Sequence, residues 1–297
     1  MKVEISNPDK VLFRDVGVTK ADLARYYERV ADRMLPHLRG RPISMQRFPD
    51  GIEGEGFFHK DVPDHFPDWI ERIRVRKRGG SLTQAIVRGR DTLRYLVDQA
   101  TVTPHVWLSR ADDLDRPDRM VFDLDPSRRD FSSVRRAARE LGSLLDELRL
   151  PRFPMTTGSR GIHLWVPLRR QAGFDEVRKF ARDVASEAER RHPDLMTTAQ
   201  RKEKRGDAIL VDVMRNAYAQ TAVPPYAVRA KPKAPVAMPL EWEELSDSRL
   251  APDRWTTKSG FRRLSRKGSL WSGFGRAAVS LASARERLDR LRDRSGT

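Results

Sequence analysis

From Thr19 onward apolar side chains fall at Leu23, Tyr26, Tyr27, Val30 and Met34, the three-and-four spacing of one helix face. Thr19 with Asp22 three residues on predicts a capping-box start, and Pro36 and Gly40 are expected just beyond the end. The same period predicts helices over Asp91–Ala100, over 132–148 (Val134, Ala138, Leu141, Leu145, Leu148), over 174–191 (Val177, Phe180, Val184, Ala188) and over 277–292 (Leu281, Ala284, Leu288, Leu291). Short β-branched runs predict strands from Ile43 to Phe48, over 162–168, and at two segments that end in carboxylates. Between 69 and 98, basic and β-branched residues alternate around Gly79-Gly80, which reads as a hairpin leading into the Asp91 helix. Residues 5–18 hold turn residues and an apolar patch, Val11-Leu12-Phe13, and a turn runs from Pro49 to Gly56. The proline-rich stretch 224–239 fits either an ordered loop or a linker. Strand, helix, strand, helix, strand is the order around the carboxylates, and it predicts an α/β core with no internal repeat.

The two acidic segments, Met120–Ser127 and Ile209–Asn216, carry the most chemistry. Strand side chains alternate faces, so Asp123 and Asp125 share one side while Phe122 and Leu124 take the other. Two like charges on one open face repel, and a divalent cation with oxygen ligands relieves them. Asp212 from a neighbouring strand would complete a set able to hold two ions and clamp an in-line phosphoryl displacement. A lone Asp-x-Asp is otherwise an ordinary strand ending in a solvated turn, here helped by Pro126. Between the segments, Thr157-Gly158-Ser159-Arg160-Gly161 can offer hydroxyls, backbone N–H groups and a cation to phosphate, with His163 just inside the next strand. The same residues also suit a plain hairpin turn. Arg215 and Asn216 follow Asp212 closely enough to reach the same pocket, and Arg229 is a further candidate for a triphosphate. Phe57-Phe58-His59-Lys60 suits either an aromatic platform for bases or, more simply, core packing.

Charge and composition narrow the partner. The chain of 297 residues carries 58 Lys and Arg against 42 Asp and Glu, a net charge of +16, which points to a polyanion, nucleic acid first. It has no cysteine, so disulfides and thiolate zinc sites are excluded, and a reducing compartment fits. No apolar leader and no run long enough to span a bilayer is present.

Seven blocks in one order resemble the polymerase domain of bacterial DNA ligase D, a branch of the archaeo-eukaryotic primase superfamily. They begin at Ser6–Lys10, Gly17–Lys20, Phe57–Lys60, Thr103–Trp107, Val121–Ser127, Thr157–His163 and Arg215–Arg229. The resemblance runs from about residue 5 to the C-terminus. It implies one α+β primase-polymerase domain over 1–297, with an RRM-like catalytic sheet and a second N-terminal sheet. Within it, about 1–110 would bind the DNA end and about 111–297 would hold the catalytic sheet. It also implies addition of NTPs or dNTPs, ribonucleotides preferred, to a primer 3′-hydroxyl at gaps and double-strand breaks in non-homologous end joining.

On this resemblance Asp123, Asp125 and Asp212 are the catalytic, metal-binding triad, holding two Mn2+ or Mg2+ ions. His105, Thr157, Ser159, Arg160, His163, Arg215, Gln220 and Arg229 would bind nucleotide, with His105 near the sugar. Lys10 and Lys20 would bind a 5′-phosphate across the break, with Phe57, Phe58 and Lys60 on the DNA end. Ku and a DNA ligase are the implied protein partners, in a cytoplasmic, nucleoid-associated setting. Thr157 stands where serine is common in the family, keeping a hydroxyl, and Arg14 where proline is common. No Lys-x-Asp-Gly motif is present, so the chain by itself would not seal nicks; it is expected to be a stand-alone polymerase or a piece of a longer protein. Two alternatives stay open: a haloacid-dehalogenase-like phosphatase with Asp123 as nucleophile, and a non-catalytic DNA-end-bridging module.

Overall fold

The reciprocal cap expected at Thr19 is formed: its hydroxyl accepts from the Asp22 N–H at 3.2 Å, and the Asp22 carboxylate accepts from the Thr19 N–H at 2.9 Å. The computed structural model that shows this describes residues 3–128, 130–268 and 270–295. The chain divides into two compact units, one of residues up to 114 with 221–238 and 253–269, the other of 115–220, 239–252 and 270–297.

The first unit opens with a small antiparallel ribbon, β1 (Val11–Phe13) and β2 (Val18–Thr19), followed by α1 (Lys20–Leu38). Leu23, Tyr26, Tyr27, Val30 and Met34 are all buried, as their spacing predicts. Pro36, expected beyond the helix, lies inside its last turn. A proline there forfeits its hydrogen bond to the Asp32 carbonyl, and because Asp32 is exposed, water can replace it. Next come β3 (Ile43–Arg47), β4 (Phe57–His59), the hairpin β5 (Arg72–Lys77) and β6 (Gly80–Ala85), α2 (Arg90–Asp98) and β7 (Thr101–Trp107). The antiparallel sheet runs β4, β3, β7 and then Thr221–Ala222, which is β13 in chain order.

The proline-rich stretch is an ordered loop, not a linker. Tyr27 donates its hydroxyl to the Val102 carbonyl at 2.7 Å and accepts from the Val228 N–H at 3.0 Å. Tyr26 donates to the Tyr226 carbonyl at 2.9 Å, and Thr103 to the Val228 carbonyl at 2.6 Å. A helix over Gly260–Lys267, the fifth of the chain, completes the unit.

The second unit is built on β8 (Arg119–Asp125), β9 (Phe153–Thr156), β10 (Ile162–Pro167), β11 (Met196–Thr197) and β12 (Ile209–Asp212). These lie side by side as β11, β12, β8, β10, β9, antiparallel except for β11 with β12. Helices α3 (Phe131–Glu147) and α4 (Phe174–Arg191) bury Val134, Leu141 and Leu145, and Val177, Phe180 and Val184. The last helix, α6, starts at Ala282 instead of 277, because Val279 is drawn out as a bridge to Leu168 and its carbonyl accepts from the Arg169 N–H at 2.8 Å. Among the described residues no helix is long and apolar enough to cross a membrane.

Candidate active site

In the second unit, strand register assembles what lies far apart in sequence. Asp212 pairs directly with Asp123 across the β12–β8 ladder, and His163 pairs with Asp123 across β8–β10. Directly opposed residues share a face with Cβ atoms about 5 Å apart, so Asp212, Asp123 and His163 form one row across three strands. Asp125 stands two residues along β8 on the same face, while Phe122 and Leu124 are wholly buried on the other.

Cations and a turn close around the row. His163 Nε2 is 3.3 Å from Asp123 Oδ1, and Arg215 Nε is 4.0 Å from Asp123 Oδ2. Arg160 grips Asp125 with one nitrogen, donating to Oδ1 at 2.9 Å and Oδ2 at 3.1 Å. Arg205 comes within 3.9 Å of the same carboxylate. Burial pushes the Asp125 carboxyl above the ordinary range; Arg160 pulls it down, and the neighbouring charge of Asp123 adds to the rise. Asp212 Oδ1 accepts from the Met214 N–H at 2.8 Å, which starts the short turn that carries Arg215.

The β9–β10 turn is held tightly. The Thr157 N–H and hydroxyl both donate to the Gly161 carbonyl at 3.1 Å, and the Gly161 N–H donates back to the Thr157 hydroxyl at 3.2 Å. Gly158 has φ of +66°, and Ser159 sits half-buried at the tip. Gly161 is required for another reason: a Cβ there would lie 2.1 Å from the Leu124 carbonyl oxygen, between the carboxylate-bearing residues Asp123 and Asp125 of β8.

The second unit thus gathers Asp123, Asp125, Asp212, Thr157, Ser159, Arg160, His163 and Arg215 along neighbouring strands and turns. Gln220 is exposed, with its backbone N–H donating to the Ala217 carbonyl. Asn216, expected in the pocket, is buried instead and clamps β8: its amide bonds the Val121 N–H at 2.8 Å and the Val121 carbonyl at 2.7 Å. Arg205 is a site residue that spacing did not single out; its only signal was the basic run Arg201–Arg205 before the Asp212 strand.

Three carboxylates on one face are the hard oxygen donors that Mg2+ or Mn2+ takes, so the residues fit such an ion in kind. Among the described residues no three His, Asp or Glu side chains are placed together so as to hold a metal ion, Asp125 being turned to Arg160.

The first unit carries the remaining expected residues. Phe57 and Phe58 are 43% and 53% exposed on β4, so the core reading of this pair does not hold. As neighbours on an edge strand the two rings take opposite faces, and neither is covered. The Arg47 guanidinium lies 5.6 Å from the Phe57 ring centre, Phe58 meets the His105 ring edge-on at 5.2 Å, and Lys60 is exposed beside them. Lys10 reaches Asp50 at 3.2 Å on the surface. Lys20 is only 5% exposed, and its ammonium donates to Asp98 at 2.8 Å, the Ser6 carbonyl at 2.8 Å and the Ser6 hydroxyl at 2.9 Å. Arg229 lies in the ordered proline-rich loop, its N–H donating to the Pro235 carbonyl at 2.8 Å.

Comparison with known proteins gives the family. The family model described as LigD, primase-polymerase domain, matches residues 19–271. The multifunctional non-homologous end joining protein LigD of Mycolicibacterium smegmatis is 35% identical over 252 residues, 84% of this chain and 33% of that protein. The bifunctional LigD of Bacillus subtilis is 32% identical over 277 residues, 93% of this chain and 44% of that protein. A solved structure, the polymerase domain from Mycobacterium tuberculosis ligase D in complex with DNA, superposes with a TM-score of 0.88 at 31% identity, covering 93% of this chain and 99% of that one. The chain spans from a third to under half of the length of these LigD relatives. It belongs to the LigD primase-polymerase domain family, nucleotidyltransferases of the primase-polymerase type.

Proposed function

We propose that this chain adds nucleotides, ribonucleotides by preference, to a primer 3′-hydroxyl at gaps and double-strand break ends during non-homologous end joining. The relatives' part in end joining and the DNA bound to the similar polymerase domain support this reading, as does a net charge of +16. The observation that carries the chemistry is the pairing of Asp212 with Asp123, with Asp125 two residues along the same face.

Asp123, Asp125 and Asp212 are the residues that would hold two divalent cations, manganese or magnesium, and Asp125 would give up its bond to Arg160 to do so. Such ions lower the pKa of the attacking hydroxyl and neutralise charge on the leaving oxygens. The protein's own groups hold and orient the substrate. Freed from Asp125, Arg160 presents its N–H donors to triphosphate oxygens beside Thr157, Ser159 and His163, and Arg215 adds charge from the Asp212 side. The 3′-oxygen attacks the α-phosphate in line, and pyrophosphate departs toward the arginines. In the first unit, Phe57 and Phe58 offer stacking faces to a DNA end and Lys60 contacts its backbone. Lys10 binds a downstream 5′-phosphate, and Lys20, saturated by Ser6 and Asp98, holds the loop that presents it. His105, Gln220 and Arg229 keep the nucleotide roles the resemblance implies. Ku and a ligase are the proposed partners, in the cytoplasm.

Primer extension on a gapped duplex, with manganese and either rNTPs or dNTPs, tests the reading. D125A is expected to cut extension by at least about a hundredfold while DNA affinity is unchanged. Normal extension by D125A overturns the assignment.

A further inference from the structure

From Arg254 to Gly268 the chain carries six cations, Arg254, Lys258, Arg262, Arg263, Arg266 and Lys267, and no acidic residue. Within this stretch lies α5 (Gly260–Lys267). The helix is not a loose basic tail. Leu264 is buried, the Phe261 ring lies 5.3 Å from that of Tyr26 on α1, and the Arg263 guanidinium stacks 4.3 Å from the Trp255 ring centre. The Arg29 guanidinium of α1 covers Phe261 at 3.6 Å. This anchoring leaves Arg262 and Arg266, four residues apart on one face, exposed with Lys258 and Arg29.

The acids of α1 are already taken. On α1, Asp22 pairs with Arg25, Glu28 with Arg94 at 3.5 Å, and Asp32 with Arg90 at 2.6 Å. Among the described residues no carboxylate forms an ion pair with Arg29, Lys258, Arg262 or Arg266. Fixed cations in a row, without counter-charges, are what a phosphate backbone displaces its own counterions to meet. The ridge also has a beginning: Lys258 donates to the Val16 carbonyl at 2.9 Å, in the loop of the β1–β2 ribbon that follows Lys10.

We infer that Arg29, Lys258, Arg262 and Arg266 form a second nucleic-acid surface, tracking the backbone of the duplex arm downstream of the 5′-phosphate. This rests on the proposed binding of that phosphate at Lys10. The ridge reads no bases; it lengthens the electrostatic footprint and favours substrates with two arms over a single primer end.

The test compares R262A/R266A and R262E/R266E with the unsubstituted chain by fluorescence anisotropy over a range of salt. One probe is a gapped duplex with a phosphorylated downstream strand; the other is the same primer–template end without that strand. On the gapped duplex the alanine pair is expected to weaken binding by roughly tenfold or more and to reduce the slope of log K against log salt by about 1.8. On the single end, affinity and nucleotide addition are expected to be unchanged, and the charge-reversed pair should show a larger loss on the gapped probe only. Equal losses on both probes, or no loss on the gapped one, overturn the inference. An unsubstituted chain that binds neither probe overturns the proposed function as well. One that binds and extends, with both ridge variants indistinguishable from it, overturns the ridge alone.

Discussion

Gly161 shows how little room the site leaves at the level of one side chain. Its Cα faces the Leu124 carbonyl so closely that a methyl group must push the start of β10 away from β8, which separates Asp125 on β8 from its partner Arg160 in the turn. G161A is therefore expected to destabilise the fold by on the order of 2 kcal/mol in urea unfolding. Extension should fall well beyond what the lost folded fraction explains; retention of full activity at equal folded fraction would show that the approach is not needed. At this scale the alternation of Asp123 and Asp125 with Phe122 and Leu124 was legible, because strand geometry makes it local. The exposure of Phe57 and Phe58 was not, since a pair of phenylalanines looks the same on a core strand and on an exposed edge. Arg205 was hidden for a similar reason: in a chain so rich in arginine, position and not type marks the one that meets a carboxylate.

Helices α3 and α4 show what short spacings can and cannot say about an element. Their apolar stripes were plain in the sequence, while Glu187, which accepts from Arg190 at 2.7 and 2.9 Å and from Arg191 at 2.7 Å, was not singled out. Hydrogen bonds from these arginines hold the Glu187 carboxyl down at about 2, from an ordinary 4.5. The folded state therefore binds the proton less tightly than the unfolded chain. The resulting stability is complete above about 4.5 and is lost as the pH falls toward 2. E187Q is expected to lower stability near neutral pH by on the order of 2 kcal/mol and to flatten the acid limb of a denaturation series. A limb unchanged from the parent would remove Glu187 from the account. Arg191 also reaches Glu147 at 2.7 Å, tying α4 to α3, a link that no spacing along either helix could announce. The short strands β1, β2, β4, β9 and β11 were equally silent, because two to four residues hold too little alternation to read.

For the molecule as a whole, net charge and aromatic surface make separable contributions to the proposed DNA binding. Affinity for a DNA end is expected to fall steeply with salt, because phosphate contacts release counterions, whereas base stacking does not. F57A/F58A should weaken end binding by about 1–3 kcal/mol for each base that loses its stack, with the salt slope unchanged. Anisotropy across a salt series separates the two, and a changed slope would mean that the rings only position nearby cations. Local spacing, by itself, determined the long helices, the face shared by Asp123 and Asp125 and the cap at Thr19, all properties of neighbours along the chain, and composition alone gave the net positive charge. Only the tertiary structure decided that Asp212 and His163 flank Asp123, that Asn216 braces β8 instead of facing the site, and that Lys20 is spent on Ser6 and Asp98. Each of those outcomes depends on which distant strand, turn or helix comes to lie alongside: the hydrophobic pattern of a strand fixes its register only against a partner, and the partner is chosen by the fold.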